Sequence, residues 1–110
     1  MSTRAAMVKI DPSDYPLLAE AVSIWTGWGT AAFPRRKDGL LVDRFGIDIG
    51  ARIIPLIKSL EEEFNSSDAW KAGDLQEVAK IAAEDFKSKY PDLPDTIVQA
   101  FTWCYAWDWR

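Results

Sequence analysis

Histidine is absent from this chain. That excludes Ser-His-Asp and Cys-His catalytic sites, histidine-bound zinc and the Glu-x-x-His pairs of di-iron bundles. A single cysteine, Cys104, leaves no partner for an intramolecular disulfide and no thiolate cluster. It stands among aromatic residues, where burial raises a thiol's pKa, so it reads as structural rather than nucleophilic. No stretch reaches the roughly eighteen apolar residues that a membrane span needs. Met1 to Lys9 lacks the long apolar run of a signal peptide. These absences lead to the expectation of a soluble, cytoplasmic protein with a reduced cysteine. Alternating apolar and polar residues never persist beyond four positions, so no sheet is expected. Internal repeats, low-complexity tracts and glycine-rich phosphate loops are missing as well. Gly27 and Gly29 stand in Trp-Thr-Gly-Trp-Gly-Thr, without the GKS or GxGxxG context of a phosphate cradle. No metal or cofactor is therefore expected.

What the chain does have is tryptophan, six in 110 residues. Tryptophan is enriched both in cores and at interfaces, and core packing is expected to claim four or more of the six. The stretch Thr96 to Trp107 carries no formal charge. Wound as a helix, it sets Ile97, Phe101 and Cys104 on one side, Val98, Thr102 and Tyr105 on the next, and Gln99, Trp103 and Ala106 on the remaining side. A helix that is apolar on nearly every side must be covered on nearly every side. It is expected to be central, with the other helices around it.

The rest of the chain supplies those helices. Asp11-Pro12-Ser13-Asp14 is a start signal, with Asp11 as cap and Pro12 at the first helical position. Ile10 and Tyr15 have the spacing of a hydrophobic staple. Leu18, Ala21, Val22, Trp25 and Trp28 then share one face, and Gly27 and Gly29 end the helix. A loop with Pro34 follows. Asp38 is expected to cap a short helix over Leu40, Leu41, Val42 and Phe45, stopped by Gly46. Asp48 is expected to cap a third helix with the face Ile49, Ile53, Leu56, Ile57, Leu60 and Phe64. Pro55 inside it predicts a kink or break. Ser67 or Asp68 is expected to cap a fourth helix holding Trp70 and the face Leu75, Val78, Ala79, Ala82, Phe86 and Tyr90. Asp92 is expected to cap the fifth. The sum is an all-α fold, a compact four- to five-helix domain spanning 1–110 and packed around its aromatic C-terminal helix.

Net charge is −4, unevenly spread. The excess of acid lies after residue 52, while the stretch from 35 to 52 is basic. An acidic chain is a poor nucleic-acid binder, since that affinity comes largely from neutralising phosphates. The consecutive acids Glu61-Glu62-Glu63 splay around a helix and do not converge on one site.

Three stretches are candidates for function. Trp28, flanked by glycines, and Phe33 can project from the elbow after the first helix as anchors for a partner. Arg35, Arg36 and, one helix later, Arg44 can grip a carboxylate or a phosphate with paired bonds. Trp28, Arg35 and Arg36 are expected to form one partner-facing corner. At the C-terminus, Trp103, Trp107 and Trp109 can pack on the core, meet another chain or floor an apolar pocket. The function expected from these features is a non-enzymatic protein-binding module, an adaptor, inhibitor or neutraliser of a basic protein partner. The alternative is a small-molecule-binding helical domain whose pocket Trp28, Trp103 and Trp107 line for an apolar or planar ligand. A homo-oligomer is compatible with either. No nucleic acid and no membrane partner is expected.

Overall fold

A computed structural model describes residues 9–66 and 73–108. Among these residues five α-helices follow one another: α1 Tyr15–Thr26, α2 Asp38–Phe45, α3 Ile47–Asn65, α4 Leu75–Lys89 and α5 Asp95–Asp108. A single turn of 3-10 helix, Pro12–Asp14, leads into α1. No strand occurs among the described residues.

The start of α1 follows its sequence signals. Asp11 accepts the Ser13 N–H at 3.0 Å, and Ile10 and Tyr15 both pack on the core. The helix ends at Gly27, whose φ of 85° is left-handed. A Cβ there would lie 2.6 Å from that of Ala31, so the turn needs glycine twice over. The chain then folds back along the end of the helix. The N–H groups of Arg35 and Lys37 donate to the carbonyls of Thr26 and Trp25, which anchors the loop to α1.

Several expected caps are placed differently. Asp38 is the first residue of α2 rather than its cap, and its carboxylate serves Trp25 and Lys58 instead. The third helix begins at Ile47, one residue ahead of Asp48, with Gly46 turning the chain into it. Pro55 neither breaks nor interrupts α3, which is helical from Ile47 to Asn65. Its missing N–H concerns the Ala51 carbonyl, and both residues are exposed, so water can serve that carbonyl. Asp74 caps α4 by accepting the Gln76 N–H at 3.0 Å. The expected caps Ser67 and Asp68 lie outside the described residues, as do Trp70 and Trp109. Asp92 does not cap α5, which begins three residues later at Asp95.

The core lies where the faces of all five helices meet. Phe64 of α3, Phe86 of α4 and Phe101 and Tyr105 of α5 form an aromatic cluster at its centre. Phe64 is 5.3 Å from Phe86 and 6.0 Å from Phe101, and the Phe86 and Phe101 rings meet edge to face at 5.8 Å. Such tilted and edge-on contacts are the geometry that aromatic quadrupoles favour. Ile53, Ile57 and Leu60 extend the cluster along α3, and Leu18, Val22 and Leu41 close it from α1 and α2. Gly50 lets α3 approach α2 closely, since a Cβ there would come within 3.1 Å of a Val42 methyl.

The C-terminal helix α5 lies between α1 and α4, with α3 meeting it from a third direction. Ile97, Val98, Ala100, Phe101, Cys104 and Tyr105 are buried. The coverage is nevertheless incomplete. The molecule measures 41 × 38 × 20 Å, about two helix layers in its thin direction. A layer that thin leaves one side of α5 open, and Gln99, Thr102, Trp103 and Ala106 lie there. Of the four described tryptophans, only Trp25 is buried, Trp28 and Trp103 are half-buried and Trp107 is exposed.

Candidate functional site: an aromatic strip beside an open groove

The uncovered side of α5 forms the floor of a concavity of about 470 Å³. Trp28, at the end of α1, and Ala83, on α4, stand on either side, and Val98, Gln99, Thr102, Trp103 and Ala106 complete the lining. The accessible wall is apolar throughout, and the concavity is open to solvent on its outer side. Small side chains create it: Ala83 and Ala106 leave space where larger residues would let α4 and α5 close over the seam. Thr102 turns its hydroxyl away, donating to the Val98 carbonyl at 2.7 Å and so presenting its methyl group.

Trp28 leans against Trp103 with ring centroids 5.5 Å apart and planes tilted by 53°. One turn further along α5, Trp107 meets Phe33 from the loop at 6.1 Å. Phe33 is 54 % exposed and Trp107 39 %, so this second pair stands at the surface. Because Trp103 and Trp107 are four residues apart on one helix, the two ring pairs run on from each other. The result is a strip of four large aromatic rings, half-buried at the groove and exposed at its far end.

The loop that carries Phe33 is fastened by Arg36. Its guanidinium donates from Nε to Glu61 at 2.9 Å and from Nη2 to Asp108 at 2.6 Å, joining the loop to α3 and α5. Burial disfavours its charge, but the bonds to Glu61 and Asp108 outweigh that and raise its pKa, keeping the group charged. Arg36 holds a left-handed backbone at φ 55°, a conformation that costs a non-glycine residue about 1–2 kcal/mol. Its two carboxylate partners offset that strain. Beneath this latch, Cys104 is fully buried, and burial pushes its thiol up to about 12 despite the nearby guanidinium.

The structure thus brings Trp28, Phe33, Trp103 and Trp107 together and sends the arginines apart. Arg35 is exposed, with its side chain lying over Gly27. Arg36 is spent within the fold. Arg44 pairs with Glu20 at 2.6 Å and covers the Phe45 ring, two turns back along α1 from Trp28. Trp107 meets Phe33 rather than lining the concavity with Trp28 and Trp103. Sequence reasoning missed Ala83, Val98, Gln99, Thr102 and Ala106. The signal for three of them lay in α5 itself, where Gln99, Thr102 and Ala106 share one side with Trp103.

A second concavity, of about 430 Å³, lies between Trp25, Arg36, Asp38, Lys58, Glu61 and Glu62. Four of its charges pair with one another, Arg36 with Glu61 and Lys58 with Asp38. Asp38 accepts from Lys58 at 2.8 Å and from the Trp25 indole at 2.9 Å, and these bonds hold its carboxyl below the usual range.

Fold and site together define an all-α domain with an apolar groove and an exposed aromatic strip. Compared with known proteins, the chain matches no family model, no curated sequence and no solved structure.

Proposed function

We propose that the protein is a protein-binding module that docks a partner along the Trp28–Trp103 groove and the Phe33–Trp107 pair. The observation that carries this reading is the continuity of the groove with exposed aromatic rings. Large apolar rings left in water at the end of an apolar channel are typical of binding surfaces, whose energy concentrates in a few aromatic anchors. A groove floored by one side of α5 suits an apolar segment laid along it, such as one face of a helix.

A small apolar ligand is the second reading, favoured by the cavity's size, since ligand sites span about 300–1,000 Å³. Such sites bury most of their ligand. A groove open on its outer side would leave a small molecule half in water, whereas a protein segment brings its own cover. The extended partner is therefore preferred.

The test compares proteins retained from the native cell extract by the wild-type chain and by Phe33→Ser. Phe33 is mostly exposed, so its replacement spares the core. A protein held by the wild type and lost from Phe33→Ser is the expected result. Identical retention by both chains would remove the strip from the function.

A further inference from the structure

The partner's chemistry can be taken a step beyond apolar, and this step rests on the docking reading above. Four consecutive charged residues, Arg35-Arg36-Lys37-Asp38, follow the loop that carries Phe33. Two of them are consumed inside the fold. Arg36 is held by Glu61 and Asp108, and Asp38 by Lys58 and the Trp25 indole. Arg35 and Lys37 are exposed and form no ion pair among the described residues. The unspent charge of this loop is therefore positive, although the chain as a whole is acidic.

Position decides which of the two cations matters at the strip. The Arg35 Nε lies 3.2 Å from where a Gly27 Cβ would project, directly before Trp28 in the chain. Phe33 is two residues away on the other side. The Arg35 side chain thus lies against the turn that leads into Trp28, two residues after Phe33 in the chain. Asp108, at the end of α5, is the acid beside Trp107, and it is already bound to Arg36. On the opposite wall, Lys80 and Glu84 flank Ala83 with opposite signs, and Asp95 pairs with Lys87. Glu62 lines the charged concavity with Lys58 rather than the groove.

We propose that the groove takes an apolar protein segment carrying a carboxylate next to its anchor side chains, which the Arg35 guanidinium receives. An arginine can grip a carboxylate through two parallel N–H bonds, which fixes the direction of the bound segment as well as its charge. The net charge of −4 had pointed to a basic partner. Charge at the contact, within a Debye length of about 8 Å, governs the choice of segment more than distant charge does.

The test is selection from a displayed library of random dodecapeptides against three folded chains: wild type, Arg35→Glu and Trp103→Ala. Helical circular dichroism confirms that each is folded. Wild type should enrich peptides combining large apolar residues with Asp or Glu. Arg35→Glu should keep the apolar preference but exchange the acids for Lys or Arg. A synthetic copy of a wild-type-selected acidic peptide should bind Arg35→Glu about tenfold more weakly, a loss of about 1.4 kcal/mol. Apolar peptides enriched without acids, or acidic enrichment unchanged by Arg35→Glu, would overturn the carboxylate inference and leave docking intact. Enrichment that does not depend on Trp103, or none on wild type, would overturn the docking reading itself.

Discussion

Trp25 shows how one residue can bind a fold together and still bring a polar obligation. Its ring is 3 % exposed, and its indole N–H would be costly to bury without an acceptor. Asp38 provides that acceptor, and Lys58 completes the chain of charge. Replacing Asp38 by Ala should destabilise by about 0.5–1.5 kcal/mol, the usual net worth of a hydrogen bond, because water can reach the indole through the open concavity. The pH dependence follows from the sign of the shift. Asp38 is lowered from 3.8 by its bonds to Lys58 and Trp25, so its contribution is fully present above pH 3.8. It is lost as pH falls through the lowered value. Melting curves of wild type and Asp38→Ala should differ at pH 7 and converge below that point. An undiminished gap at strongly acid pH would show that the carboxylate's charge is irrelevant. Cys104 gives a second test at this scale. Its thiol, raised to about 12 by burial, should resist a thiol-specific disulfide reagent at pH 8 in the native protein and react promptly in denaturant. Fast native labelling would mean that the floor beneath Arg36 opens readily.

Among the elements, α5 decides most. Phe101 meets both Phe64 and Phe86 and is 1 % exposed. Phe101→Ala should cost about 3–5 kcal/mol, read from denaturant unfolding. A loss under about 1 kcal/mol would be incompatible with a central α5. Trp28 belongs partly to the same body, because its ring rests on Trp103 and on the core. Trp28→Ala should therefore lower the melting temperature, by about 1–2 kcal/mol of stability, since it loses roughly half the burial of a core aromatic. A variant that melts like wild type would show the Trp28–Trp103 contact to be energetically idle. Periodicity made the faces of α1, α3 and α4 legible, with Ile53, Ile57, Leu60 and Phe64 all buried as their spacing requires. Helix ends were harder to read. Asp38, Asp48 and Asp92 each had cap chemistry, but a side chain caps only where the backbone turns, and Gly46 and Pro94 turned it elsewhere. Pro55 was tolerated because its crowded turn faces water.

At the scale of the whole molecule, five helices in a slab 20 Å thick account for both the core and the groove. Far-UV circular dichroism should show a predominantly helical spectrum, and a dominant strand signal would contradict the fold. No helix among the described residues is long and apolar enough to cross a membrane. The sequence alone determined that the protein is helical, that its core is aromatic and that α5 carries an uncharged, aromatic-rich stretch. These follow from local spacing and composition, which the chain carries residue by residue. Only the tertiary structure decided which side of α5 stays open. Likewise it decided that Phe33 finds Trp107, and that Arg36 turns inward to Glu61 and Asp108 while Arg35 forms no ion pair among the described residues. Those outcomes depend on how many helices fit around one another and on which charges meet across 25 to 72 positions of chain. Spacing within a single helix holds no record of either.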